Sequence, residues 1–138
     1  MAIKQLSILI PNEKGALAEV TEAFCDADID VRAISVSDTT EYGILRTVVD
    51  DTERAVKCLE ERGIVAKKSD ILALNPEDKK GSLTEIFKLL GQNGINIDYV
   101  YSFVVRKNEA QYFVLKVDDL AKAETLLEEK GIEVIKNI

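Results

Sequence analysis

Two pairs of adjacent carboxylates, Asp50-Asp51 and Asp118-Asp119, are the first residues in this 138-residue chain to suggest chemistry. Paired acids can hold a metal ion or divide acid and base roles between them. Both pairs, however, stand just before an expected helix, at matching places in the two halves of the chain. A helix start needs an acceptor for its free N–H groups, so capping accounts for them better. The chain has no histidine, which removes Ser-His and Cys-His arrangements and the commonest metal ligand. Cys25 and Cys58 fall in expected helices, where a free cysteine is most often a small buried hydrophobe, and two cysteines without histidine make no metal pattern. No phosphate loop, zinc motif or nucleophile elbow is present. The chain is therefore expected not to be an enzyme and to hold neither metal nor cofactor.

Binding is a different matter. The stretch Pro11-Asn12-Glu13-Lys14-Gly15-Ala16-Leu17 returns as Pro76-Glu77-Asp78-Lys79-Lys80-Gly81-Ser82-Leu83. In each copy an apolar run stops and an amphipathic run begins after the glycine, which reads as a strand-to-helix turn. The first N–H groups of a helix have no intrahelical partner and carry partial positive charge, so a carboxylate or phosphate fits there. Gly15 would leave room for close approach. The alternative is that Asn12 and Gly15 are ordinary turn residues.

The elements that position these turns follow from apolar spacing. A strand is expected from about residue 3 to 10. A helix follows from Gly15 to about Ala27, with Leu17, Val20, Phe24 and Ala27 on one side. Ile29-Asp30-Val31 opens a second strand running through Ile34 and Val36, and the polar turn Asp38-Thr39-Thr40-Glu41 leads to a third from Ile44 to Val49. A helix capped at Asp50-Asp51-Thr52 carries Ala55 and Leu59 and ends at Gly63, and Ile64-Val65-Ala66 is expected as a fourth strand. The order then repeats: a strand at Asp70 to Leu74, a helix from Gly81 to about Gln92 and a strand from Asn96 to Val105. After the turn Arg106-Lys107-Asn108-Glu109 come a strand to Val117, a helix capped by Asp118 or Asp119, and a strand at Ile132 to Ile135. Gly81 follows Gly15 by 66 residues, as Ile95 follows Ile29, and Gly131 follows Gly63 by 68, which puts two extra residues in the second hairpin.

The fold class implied is α+β. Two ferredoxin-like βαββαβ units stand in tandem, residues 1–68 and 69–138, each an antiparallel sheet with both helices on one face. A unit of roughly 65 residues is marginal alone, so two supporting each other is the economical arrangement. In the strand after Asn96, alternation puts Ile97, Tyr99, Tyr101, Phe103 and Val105 on one face and Val100 and Val104 on the other. A strand apolar on both sides asks for cover on both, which points to a homodimer through the helix-free face. The alternative leaves the tyrosines half-exposed with hydroxyls in water.

Charge narrows the partners. With 18 Lys and Arg against 25 Asp and Glu the net charge is -7, so a phosphate backbone is repelled and nucleic acid is not expected. An RNA-recognition module has the same element order. Its basic and aromatic string is absent from Gly43-Ile44-Leu45-Arg46-Thr47 and Gln111-Tyr112-Phe113-Val114-Leu115. Nowhere do 18 apolar residues run together, and the start lacks a signal-like apolar region, so no membrane partner and a cytoplasmic location are expected.

The first turn, its helix and Ile29-Asp30-Val31 resemble an ACT domain, and Lys80-Gly81-Ser82-Leu83 with Asn93-Gly94-Ile95-Asn96-Ile97 resembles one more closely. The likeness covers almost the whole chain and is to tandem ACT proteins, whose units resemble the amino-acid-binding regulatory domain of phosphoglycerate dehydrogenase. What the resemblance implies is a regulatory protein that binds an amino acid or similar metabolite and does no chemistry on it. In serine-sensing relatives the ligand lies between the first turn of one unit and the start of the second strand of another, and both places favour Asn.

Carried over, that pattern implies a site at Asn12, Gly15, Ala16 and Leu17 with Asn96 and Ile97. A weaker second one lies at Asp78, Gly81, Ser82 and Leu83 with Asp30 and Val31. An Asn amide both donates and accepts, whereas an ionised Asp only accepts and repels a ligand carboxylate. The units pair within one chain or between chains. A second reading is a regulatory subunit docked on an amino-acid biosynthetic enzyme, as the small subunit of acetohydroxyacid synthase is. A third is a module that only assembles.

Overall fold

The structure, a computed structural model, describes residues 3–38, 41–105 and 109–138. The chain forms two compact units, one of Lys4–Ser69 and the other mainly of Asp70–Ile138. The first is built from β1 (Ile3–Pro11), α1 (Ala16–Asp26), β2 (Val31–Asp38), β3 (Tyr42–Val49), α2 (Thr52–Glu60) and the beginning of β4 (Ala66–Asn75). The second takes the remainder of β4, then α3 (Ser82–Gln92), β5 (Ile97–Val105), β6 (Ala110–Val117), α4 (Leu120–Glu129) and β7 (Glu133–Ile135). Strand order is β2-β3-β1-β4 in the first unit and β5-β6-β4-β7 in the second. Each is the ferredoxin-like α+β arrangement expected from the repeat, with antiparallel pairing of β1 to β3, β2 to β3, β4 to β6, β4 to β7 and β5 to β6.

Each sheet buries one face under its two helices. In the first unit Leu6, Ile8 and Leu45 pack with Val20 and Phe24 of α1 and Ala55 and Leu59 of α2. In the second, Leu72, Leu74 and Leu115 pack with Ile86 and Leu90 of α3 and Ala123 and Leu127 of α4. Four-residue spacing on each helix, as in Ile86 and Leu90 or Ala123 and Leu127, supplies the apolar stripe that holds it down.

Three expectations need correction. The strand placed at Ile64 to Ala66 begins only at Ala66 and runs unbroken into the one placed at Asp70 to Leu74, forming β4. Ser69 and Asp70 are turn-favouring types, but Lys67 to Asp70 stay extended, with Lys67, Lys68 and Asp70 exposed and Ser69 partly so. Cys25 is exposed, not buried. Cys58 is partly buried and its thiol donates to the Ala55 carbonyl at 3.2 Å; burial, with the nearby Glu61 charge, pushes its pKa up.

The third correction concerns β5. Its register against β6 shifts between Ile97 and Tyr99, so Asp98 is the extra residue of a β-bulge. Ile97 therefore packs into the helix-side core, while Tyr99, Tyr101 and Phe103 stand opposite Lys116, Val114 and Tyr112 on the helix-free face. There the Tyr99 and Tyr101 rings stack with centroids 6.4 Å apart, and Phe103 meets Tyr112 edge-on at 5.5 Å. Val100 and Val104 lie on the helix side, 43% and 60% exposed. The first unit has the same bulge at Arg32, but its β2 and β3 turn Ser35, Ser37 and Arg46 to the helix-free face, where Arg46 donates to Ser37 at 3.1 Å. Of the two hairpin turns, Thr39, Thr40, Arg106, Lys107 and Asn108 lie outside the described residues.

Helix ends are set alike with one exception. α2, α3 and α4 stop at Gly63, Gly94 and Gly131, whose φ values of 75, 74 and 75 are left-handed. In each case the next residue donates back into the last turn, as Ile95 does to Leu90 at 3.0 Å. α1 makes the same closure, Ile29 to Phe24 at 2.9 Å, with Asp28 at φ 56. A left-handed L-residue is strained, so Asp28→Gly is expected to raise stability by about 0.5–1 kcal/mol and the melting temperature by a few degrees, measurable by calorimetry. In the folded chain a thiol reagent is expected to modify Cys25 well before Cys58, with mass spectrometry reading the order.

Candidate ligand-binding site

The two repeated turns have one geometry. Glu13 donates to the Pro11 carbonyl at 3.0 Å and Ala16 to that of Glu13 at 3.3 Å; Lys79 donates to Glu77 at 3.0 Å and Ser82 to Lys79 at 3.3 Å. This register matches Asp78 to Asn12 and puts the extra residue of the second loop ahead of the turn. Gly15 and Gly81 sit at φ 84 and 89. A Cβ on either would meet nothing within 4 Å, so within the unit it is the left-handed backbone that calls for glycine, and the space beside it is open.

What the turns leave open is the start of a helix. α2 is capped by Asp51, which accepts from the Arg54 N–H at 3.1 Å, and α4 by Asp119, which accepts from Lys122 at 3.2 Å. α1 and α3 begin at Gly15 and Gly81 with no side-chain cap. The positive end of each is thus free to meet an anion. Asn12, Gly15 and Asp78 are exposed on these turns, Leu17 is 43% exposed, and Ala16 and Ser82 are buried behind them.

The first residue of each Asp pair does something else. Asp50 accepts the Asp30 N–H at 3.0 Å and returns its own N–H to the Asp30 carbonyl at 3.1 Å. Asp118 does the same for Asn96, at 3.0 and 3.2 Å. Capping explains Asp51 and Asp119, whereas Asp50 and Asp118 fasten the strand starts that carry the other half of the expected site. The doubling itself was a signal, since one helix start needs one cap.

At those strand starts the bulge residues become neighbours of the side chains in question. Arg32 pairs with Asp30 at 2.9 Å, and the Asn96 amide donates to Asp98 at 2.9 Å. Neither Arg32 nor Asp98 was singled out from the sequence. Arg32 offsets the charge of Asp30, which weakens the argument that this carboxylate must repel an acidic ligand group. Val31 and Ile97, half-buried, anchor the strand starts in the cores below.

Within one unit the turn and the strand start stand at opposite ends of an 11-residue helix, about 16 Å apart at 1.5 Å per residue. A single unit brings Asn12, Gly15, Ala16 and Leu17 together, and Asp30 with Val31, but not the two groups. The same holds for Asp78, Gly81, Ser82 and Leu83 against Asn96 and Ile97. β2 and β5 are the outermost strands of their units and expose Ile34, Val36, Val100 and Val104. Among the described residues no cluster of three or more His, Cys, Asp or Glu could hold a metal ion, and no helix is long and apolar enough to cross a membrane.

A family model described as an ACT domain pair matches residues 1–137. The crystal structure of protein BT0572 from Bacteroides thetaiotaomicron is similar at 30% identity with a TM-score of 0.90, covering 98% of this chain and 92% of that one. The ligand-free regulatory subunit of aspartate kinase from Thermus thermophilus has the same fold at 21% identity, TM-score 0.69, covering 95% and 92%. Aspartate kinase from Synechocystis is similar over 94% of this chain and 25% of its own, at 18% identity and TM-score 0.64. No curated protein matches.

The two aspartates of the second pair are separable. In Asp118→Ala the Asn96 amide is expected to lose its protection from hydrogen exchange, while in Asp119→Ala it keeps it and the chain loses about 1 kcal/mol from the lost cap. Loss of Asn96 protection in both variants would refute the division of labour.

Proposed function

This chain belongs to the ACT domain pair family, and we propose that it is a non-catalytic regulatory protein that binds a small molecule, an amino acid in the first instance. The observation that carries the proposal is the selective lack of capping: α2 and α4 have carboxylate caps, and α1 and α3, which follow the repeated turns, have none. An amino acid carboxylate is a natural occupant of such a helix start.

In this reading the ligand is held between the first turn of one unit and the second-strand start of another, joining Asn12 to Asn96. The units concerned belong to one chain or to two copies. Asn12 offers an amide to donate to the carboxylate and to accept from the ammonium, and Asn96, with Asp98 beside it, offers acceptors for the ammonium. The pairing of Asp78 with Asp30 gives a second, weaker site, with Arg32 the cation there. A homodimer through the aromatic helix-free face of the second unit, at Tyr99, Tyr101 and Phe103, belongs to the same proposal, since stacked half-buried rings favour cover.

A second reading is that the chain docks on an amino-acid biosynthetic enzyme as its regulatory subunit. It is favoured by the shared fold with a chain described as the regulatory subunit of aspartate kinase.

A thermal-shift screen against the common amino acids, with calorimetric stoichiometry on any hit, tests the first reading. Ligand at about 100 times its Kd is expected to add about 2.7 kcal/mol, a shift of several degrees. Asn12→Ala and Asn96→Ala are each expected to remove that shift without lowering the ligand-free melting temperature. No shift at millimolar ligand, with a stoichiometric enzyme recovered in a ligand-free pull-down, would overturn the sensor in favour of the docked subunit.

A further inference from the structure

Among the ion pairs that differ between the two units, one lies at the helix ends. In the first, Asp26 at the end of α1 and Arg62 just beyond α2 meet at 2.6 Å. The repeat offsets place Gln92 and Lys130 at the matching positions of the second unit (92 − 26 = 66, 130 − 62 = 68). Gln92 carries no charge, so the pair is gone, and both side chains line a cavity of about 800 Å³ contained in the second unit. That volume is in the range of small-molecule pockets.

The lining is suited to a particular kind of molecule. Ile86 and Leu89 from α3 and Ile132 beyond α4 give an apolar wall. At the start of α3, which no side chain caps, Ser82 also lines the cavity. Ser82 is 8% exposed, and its hydroxyl has no hydrogen-bond partner among the described residues. A buried hydroxyl left unpaired costs stability, and the first unit avoids that cost with Ala16 at the same place.

Two further lining residues, Lys88 and Lys130, enter no ion pair among the described residues. Of the acids on the lining, Glu77 is paired with Lys79 at 3.0 Å, Glu133 accepts the Asn75 amide at 2.9 Å but keeps its charge, and Glu85 stands in the first turn of α3.

We propose that this cavity, which shares the α3 start with the weaker site at Asp78 and Asp30 and is separate from the one at Asn12 and Asn96, is a ligand site for a small carboxylate bearing a compact apolar chain. The carboxylate meets the α3 start, the Ser82 hydroxyl and a lysine; the chain lies on Ile86, Leu89 and Ile132. An amino acid and its deaminated counterpart share this chemistry, and Glu85 favours the one with an ammonium group.

The test is an amide NMR titration of the full chain with L-leucine and, separately, 4-methylpentanoate. Signals of Ser82, Leu83, Glu85 and Ile132 are expected to move with both. Tighter binding of leucine identifies amino acids as the source, and tighter binding of 4-methylpentanoate identifies deaminated acids. The double variant Gln92→Asp, Lys130→Arg, which restores the ion pair of the first unit, is expected to weaken binding at least about tenfold. Ser82→Ala is expected to weaken binding while raising the ligand-free melting temperature. Asn12→Ala and Arg32→Ala, which alter the two turn-to-strand sites and not the cavity, leave these signals moving as before, so failure of those sites is distinguishable from failure of the cavity. Signals that stay still with both probes, or that move equally in the double variant, overturn the proposal.

Discussion

In each unit an 11-residue helix stands between the turn that frees backbone N–H groups and the strand start that carries an amide or a carboxylate. That length keeps the two places about 16 Å apart, farther than a single amino acid reaches. No single unit therefore brings both kinds of group to one amino acid. The rest of each unit keeps the ends of that helix where they are. A left-handed glycine starts it, a backward hydrogen bond closes it, and an Asp carboxylate ties down the strand that follows.

The backbone of the repeat has been kept while the side chains have drifted apart. Turn geometry agrees to the hydrogen bond between the halves, and both second strands carry a bulge at the same place. On that common frame Asp30 with Arg32, a salt bridge, corresponds to Asn96 with Asp98, an amide donating to a carboxylate. The helix-free face is serine and arginine in one hairpin and stacked aromatic rings in the other. Side chains at an exposed turn or sheet surface contribute little to stability, so they are free to specialise, whereas a residue at positive φ or in the core is held by strain or packing.

The duplication, the element order and the helix ends were legible in the sequence because they rest on local rules: apolar spacing of two or four, glycine beyond a helix, aspartate ahead of one. Asn12, Gly15 and their counterparts could be named from the same turns, whereas Asn96 and Asp30 come from the resemblance to ACT domains. Three things could not be reached that way. Whether Lys67 to Asp70 is a break or an exposed strand depends on what pairs with it. The face on which Ile97 lies depends on a bulge that alternation does not show. Which Asp of each pair caps a helix and which clamps a strand depends on where the strand start comes to rest. By itself, then, the sequence determined the repeat and its local conformations, which short-range sterics and hydrogen bonding dictate. Tertiary structure alone decided the register of β5, the partners of Asp50 and Asp118, and the cavity that Gln92 and Lys130 line, because each depends on residues far apart in the chain meeting in space.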